Sequence, residues 1–354
     1  MQIDRLLVAA RKAGASDLHV IAGVPPAFRV NGEIIMGNGD SLTRDDTREL
    51  AMQLLSEKQR AVFERDQGLC VSIFNTAVGR IRLTAYCHAG NVEASIRLVN
   101  LEIPTAEELG LPSIVDDLCR RQGGLVLVTG PTGVGKTTTL NYMVDLINRE
   151  RRCKIVMIED PVEYVHRPKK ALIVQQEVHT DTPSMAKALV HVLRQDPDII
   201  VIGEMRDLDT IETALVAAET GHLVFATLHT PNVEQTVERV VGVFPAERQN
   251  QVLIQLTASL QGVLAQRLLP RADKKGRVLA TEVLVVNHAV RNMIREGNYH
   301  LLISAMQTGK ADGMRNMDGV LEELYQQGSI TWDTAMSNAR DPDLFQRRRK
   351  ATAH

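Results

Sequence analysis

The run GPTGVGKT at residues 130–137 limits the possible folds most sharply, because it fills the pattern GxxxxGK[ST] between the apolar stretch GLVLVT and the helix-forming stretch TTTLNYMVDLIN. A strand, a glycine-rich turn and a helix in that order make a phosphate cradle. Glycines let backbone N–H groups converge on one point, and the helix N-terminus adds a favourable dipole. A glycine-rich loop can match by chance, but that strand-loop-helix setting makes chance a poor account. Lys136 then supplies a charge for β- and γ-phosphates, and the Thr137 hydroxyl suits a magnesium ion. The expected nucleotide contacts are Gly130, Pro131, Thr132, Gly133, Val134, Gly135, Lys136, Thr137 and Thr138, with ATP and Mg²⁺ as ligands.

The surrounding sequence agrees with such a fold. Short Val/Ile/Leu runs at 125–128, 155–158, 199–202 and 223–228 alternate with helical patterns, which predicts a parallel sheet covered on both faces. After 277–286 the chain reads as mainly helical. The first hundred residues have a different grammar. Ile3, Leu6, Leu7 and Ala10 predict a helix closed by Gly14, and a hairpin is expected across Asn31-Gly32. A long polar helix is predicted from a Thr43 cap, with Leu50, Leu54, Leu55 and Val62 as its apolar stripe. Alternating strands follow at 69–74, 80–87 and 92–99. With 354 residues, 44% of them apolar, the chain can build two cores. Two prolines and a glycine in LEIPTAEELGLP mark residues 101–112 as the linker between them.

Composition excludes several functions. The formal charge is −2 and only 3% of residues are aromatic, so neither a backbone-neutralising surface nor base-stacking platforms are expected, and no nucleic acid partner is predicted. Cys70, Cys87, Cys119 and Cys153 lack CxxC spacing, which argues against zinc and for reduced, buried thiols in a cytoplasmic protein. No signal peptide or membrane span is read, so a cytoplasmic protein is expected, reaching a membrane only through partners. The basic tail QRRRKATAH is read as a solvated end.

Two acidic clusters lie past apolar strands, where ligands of parallel sheets collect: Glu204 after DIIVIG, and Glu159, Asp160 and Glu163 in KIVMIEDPVEY. One carboxylate can support magnesium while another orients or deprotonates the attacking water, and spacing leaves their division of labour open. Alone, either cluster would be an ordinary solvated strand end. His222 and His229 bracket HLVFATLHT; a strand-end histidine is usually a hydrogen-bonding core residue, and His229 is the better placed to sense a γ-phosphate. Candidate arginines for transition-state charge are Arg82, Arg97, Arg194, Arg206 and Arg239. Each alone would be read as a surface residue.

Taken together, GASDLHV, FRVNGEI, IPTAEELGLP, the phosphate loop, IEDPVEY, RQDPDIIVIGEMRD and TGHLVFATLHT resemble the secretion ATPase superfamily of type II secretion and type IV pili. AVRNMIREG at 289–297 and SAMQTGKADGMRNMD are similar to its pilus retraction branch, and the four-cysteine zinc motif typical of the extension and secretion branches is not found here. The resemblance implies a PAS-like α+β domain (1–100), the linker (101–112), a RecA-like P-loop core (113–286) and a helical C-terminal portion (287–354). It implies a homohexamer that binds nucleotide where the two domains meet. Pilus machinery and an inner-membrane platform protein are its implied partners, and ATP-driven pilus retraction is its implied work. Glu163 would polarise water, Glu204 would support Mg²⁺ beside Thr137, and Arg82, Arg97, Arg206 and His229 would complete the site. The family's GSGKS, GTLHT and QREVG stand here as GVGKT, ATLHT and Gln175-Gln176-Glu177-Val178-His179, so the role of the arginine in the last motif does not carry over.

Overall fold

The computed structural model describes residues 2–30, 32–99 and 102–342. Its contacts divide the chain into two units. One runs to Glu102 and also takes in Pro161–Val165; the other comprises Ile103–Asp160 and the chain from His166 onward.

In the first unit α1 (Ile3–Lys12) buries Ile3, Leu7 and Ala10, a spacing that sets one helical face inward. Gly14, with φ of 65°, then turns the chain in the left-handed conformation that ends helices most readily. Six antiparallel strands follow in the order β3-β2-β1-β6-β5-β4. They are β1 (Asp17–Val20), β2 (Ala27–Val30), β3 (Glu33–Met36), β4 (Gly68–Asn75), β5 (Gly79–His88) and β6 (Asn91–Leu98). β1 was not anticipated. The expected hairpin is β2 paired with β3, although Asn31 of its turn lies outside the described residues. Along β5 and β6, Ile81, Leu83, Ala94 and Ile96 point into the core. The intervening positions face the other way, and Arg82 and Arg97 are direct cross-strand partners there.

The single long helix expected after Thr43 is in fact two, α2 (Arg44–Gln53) and α3 (Glu57–Asp66). The break is local chemistry: Ser56 accepts from the Gln59 N–H while the Gln59 side chain accepts from the Ser56 N–H, a capping box that starts a new helix. Rotation past that break makes Phe63, rather than Val62, the buried residue of α3.

The second unit opens with α4 (Ala106–Leu109) and α5 (Ile114–Cys119), so the segment 101–112 contains a helical turn capped by Thr105; Leu101 is outside the described residues. Its seven strands are β7 (Gly124–Thr129), β8 (Lys154–Glu159), β9 (Leu172–Glu177), β10 (Ile199–Ile202), β11 (Leu223–Leu228), β12 (Leu260–Pro270) and β13 (Arg277–Val285). They lie in the order β13-β12-β7-β11-β10-β8-β9, parallel except for the β12–β13 pair. Every residue of β7, β10 and β11 is buried, as the continuous apolar runs predict. Helices α6 (Lys136–Glu150), α7 (Met185–Val192), α8 (Leu208–Glu219), α9 (Val233–Gly242) and α10 (Ala246–Ser259) connect them.

β9 and β12 escaped the sequence pattern. β9, LIVQQE, is a half-polar edge strand, and β12 follows α10 with no turn residue between them. The last part of the chain is helical as expected, with α11 (His288–Arg295), α12 (Leu302–Thr308), α13 (Met317–Gln326) and α14 (Trp332–Asn338). Leu269, Ala280, Met317, Val320, Leu321, Ile330 and Ala335 form a small separate core there. Glu282 on β13, 3% exposed, accepts from the N–H of Val233 at 2.9 Å and of Met317 at 3.2 Å, the first residues of α9 and α13. Burial raises its pKa, and the two backbone donors oppose that shift. Of the thiols expected to be buried, Cys119 is, whereas Cys70 and Cys87 are exposed on β4 and β5. The basic tail lies outside the described residues. Among the described residues, no helix is long and apolar enough to cross a membrane.

Candidate nucleotide site

The phosphate loop lies between the C-terminal end of β7 and the first turn of α6, where backbone N–H groups of the helix are unpaired by the helix itself. Its glycines answer two separate demands. At Gly130 a Cβ would stand 2.4 Å from the Gln266 carbonyl oxygen, so the loop leaves the sheet through a gap no side chain fits. Gly133 and Gly135 have open space around them but adopt φ of 81° and 90°. Buried Val134 holds the loop between them, and Thr137 and Thr138 lie half-buried in the first helical turn.

Lys136 is buried at the base of this loop. Its Nζ donates to the carbonyls of Gly130 at 2.6 Å and Pro131 at 2.9 Å, and stands 3.3 Å from His229 Nδ1. An ammonium only donates, so Nδ1 is the accepting nitrogen, and the ring proton sits on Nε2. That nitrogen meets Glu204 Oε1 at 2.5 Å, and the other Glu204 oxygen meets Arg206 at 2.8 Å. Lys136, His229, Glu204 and Arg206 therefore form one chain of alternating donors and acceptors beside the loop. Burial lowers the pKa of Lys136, and the Glu204 charge counteracts this. The pKa of Arg206 is raised, first by its hydrogen bond to Glu204 and then by that residue's charge, with a smaller contribution from exposed Asp160.

The backbone under Glu204 is held as firmly as its side chain. Gly203 donates to the Ile158 carbonyl at 2.8 Å, Thr227 donates its hydroxyl to the Gly203 carbonyl at 2.5 Å, and Met205 donates to the Thr227 carbonyl at 3.0 Å. Three neighbouring strands thus fix one carboxylate.

The other candidate residues are distributed differently. Glu163 belongs to the first unit, 3.9 Å from Arg82, and with Arg97 and Tyr164 it helps line a cavity of about 320 Å³ in that unit. Arg97 donates to Asp17 at 2.9 Å. Glu159, buried at the end of β8, accepts from Gln175 at 2.9 Å. His222 lies at the opposite end of β11 from His229, near the Ala217 carbonyl and the Thr220 hydroxyl, and serves the turn after α8. Arg239 is exposed on α9, and Arg194 follows α7. His179 takes a left-handed φ of 68° where the family motif has glycine, with its N–H donating to the Thr182 carbonyl at 2.7 Å.

Sequence reading missed Asn141 and His166. The Asn141 amide donates to the Thr137 carbonyl at 2.8 Å, and its oxygen is 2.7 Å from His166 Nε2. An Asn one turn after the loop was the only local signal.

The family model described as type II/IV secretion system protein matches residues 91–278, more than half of the chain and the whole of this loop-and-carboxylate array. The chain belongs to the type II/IV secretion ATPase family. Within that family it falls in the PilT-type branch. It is 43% identical to the type IV pilus retraction ATPase PilT of Pseudomonas aeruginosa, over 98% of this chain and 100% of that one. It is 39% identical to the type IV pilus ATPase PilU of the same organism, over 96% and 89% of the two chains. The crystal structure of the pilus retraction motor PilT with bound ADP is similar, with a TM-score of 0.92 and 46% identity over 98% of this chain and 99% of that one. The α+β first part followed by a P-loop ATPase with a helical end, expected from sequence, is the fold that this family member shares.

Proposed function

We propose that this chain hydrolyses ATP with Mg²⁺ as a homohexameric motor that retracts type IV pili. The observation that carries the reading is the continuous contact chain from Lys136 through His229 to Glu204 and Arg206, set against a phosphate loop. Lys136 would hold the β- and γ-phosphates, and His229 would report on the last of them through Glu204. Thr137 and Glu204 are hard oxygen donors of the kind magnesium takes, and that ion needs only one or two protein groups when phosphates and water complete its shell. Among the described residues no group of three or more His, Cys, Asp or Glu is arranged to hold a metal by itself, which fits an ion held jointly with nucleotide. When bound, magnesium would neutralise charge on the phosphates. Glu163 would polarise the attacking water, and Arg82, Arg97 and Arg206 would stabilise phosphate charge, in the roles the resemblance gives them.

A ring arises when one heterologous interface repeats and closes. Six copies on the cytoplasmic face of the inner membrane, acting on a platform protein, would convert successive hydrolysis events into removal of pilin. Purified protein should hydrolyse ATP only with magnesium, and Lys136→Ala should lose both nucleotide binding and turnover. A magnesium-supplied hexamer without activity defeats the reading. A second reading is an accessory ATPase that supports another motor. Deletion followed by live imaging separates them: non-retracting, hyperpiliated cells mark the principal motor, and normal retraction marks the accessory.

A further inference from the structure

Asn141 lies one turn beyond Thr137 on α6, and its amide N–H donates to the Thr137 carbonyl. Turning the amide over would set its oxygen against that carbonyl, so the hydrogen bonds fix its orientation. Its Oδ1 then faces His166 Nε2 at 2.7 Å, and because an amide oxygen only accepts, the His166 proton is on Nε2. His166 Nδ1 is left as a bare acceptor, buried and without a hydrogen-bond partner. Burial pushes the imidazole pKa down to about 4, so the ring is neutral near pH 7. A histidine kept only for packing would have both nitrogens satisfied or would be replaceable by an apolar side chain. Here one acceptor is left unmatched, and what the ring supplies is a directional link to the phosphate-loop helix.

The backbone at His166 is fixed too. Its N–H donates to Gln175 Oε1 at 2.9 Å, and Gln175 Nε2 donates to Glu159 Oε1 at 2.9 Å. Glu159 and His166 flank residues 160–165, and Pro161–Val165 cluster with the first unit. Within that unit the Val162 carbonyl accepts from Ser72 at 2.9 Å and Arg80 at 3.1 Å, and Glu163 lies 3.9 Å from Arg82.

We propose that Asn141 and His166 form a strut by which the phosphate loop fixes the chain at His166, the residue at which the segment carrying Glu163 returns. Both are positioning residues, acting through the Thr137 carbonyl and the chain at His166. A shift of the first turn of α6 moves the Thr137 carbonyl, and two short hydrogen bonds in series carry the shift to the returning end of the segment. The inference rests on the ATPase reading above.

The test uses the full-length chain carrying His166→Leu, Asn141→Leu, the pair together, and His166→Gln, which keeps a donor amide. Hydrogen exchange is followed with and without ADP, alongside steady-state hydrolysis and ADP affinity, below the melting temperature of each variant. In the wild type, ADP should protect both the phosphate loop and residues 160–166. In the leucine variants the loop should still be protected while the response at 160–166 disappears. Their kcat should fall by roughly tenfold, as for lost outer-shell partners of a ligand site, with ADP affinity held. The double variant should be no worse than either single one, since both break the same link. His166→Gln should recover most of the rate. Should the leucine variants fail to fold, His166→Asn, too short to span to Asn141, replaces them in the comparison with His166→Gln. An unchanged response at 160–166, or losses that add in the double variant, overturns the strut. A wild type without hydrolysis overturns the ATPase reading instead and leaves the exchange comparison to decide the strut.

Discussion

Glu204 and Glu163 are carboxylates of one reaction in the proposed scheme, yet they are held in opposite ways. Glu204 stands on backbone bonded into three strands, and both its oxygens are engaged, by His229 and Arg206. Glu163 lies on a short excursion of the chain, with a long ion pair to Arg82 in which each side chain is about a third exposed. A carboxylate gripped on all sides suits a fixed role beside phosphate and metal. One held loosely suits a role that must be taken up and released during a cycle. The contrast separates chemistry from architecture, which a list of acidic residues does not.

The largest effects that test this contrast come from the two carboxylates themselves. Glu204→Ala and Glu163→Gln should each lower turnover by roughly 100-fold or more, the range for lost acid–base or electrostatic groups. Only the first should also lower stability, by roughly 1 kcal/mol, because it leaves Arg206 and Lys136 without their counter-charge. Denaturant melts of both variants would break the contrast if the Glu163 change proved as destabilising.

Next comes pH. His166 has a pKa of about 4 in the folded chain against 6.5 when unfolded, so between these values the unfolded state binds the proton and the folded state does not. Stability should therefore be undiminished above pH 6.5 and decline as pH falls toward 4, by up to about 3 kcal/mol from this group. The difference between wild type and His166→Gln, measured by denaturation from pH 7 to 4, should show that slope; a flat difference would mean the ring is not held neutral.

The smallest expected change is in stability after Arg97→Ala. An arginine this exposed, paired with Asp17, contributes on the order of 0.2–1 kcal/mol. A clear fall in kcat at nearly constant melting temperature would place Arg97 with Glu163 on the chemical side of the contrast. A fall in stability with kcat unchanged would remove it.

How much of this was readable in sequence follows the range of the interactions. The phosphate loop and Glu204 could be placed because strand, loop and helix are contiguous, and each residue's position depends on its immediate neighbours. Arg82 and Arg97 could be placed on strands by alternation, but their pairing needed the register of β5 against β6. The capping box Ser56-x-x-Gln59 was present in the sequence, yet the apolar stripe running through Leu54 and Leu55 masked it. β12 was hidden because α10 passes into it at Leu260, whose extended conformation is imposed by pairing with β7. Asn141 and His166 are 25 residues apart with no shared pattern, and only the folded chain brings them together. Glu163 was read from sequence as part of a strand-end cluster in the second domain; the fold assigns it to the first unit.

Glu282 carries a practical consequence for anyone exchanging parts between relatives. Its carboxylate accepts from Val233, in the nucleotide-binding core, and from Met317, in the helical end. A chimera joined after β13 keeps the acceptor with the recipient and brings one donor in with the graft. Whether a foreign C-terminal portion seats correctly would then turn on a single backbone N–H meeting a carboxylate it did not evolve beside, so the seam is better cut before α9, moving Glu282 with both of the helices whose first N–H groups it accepts.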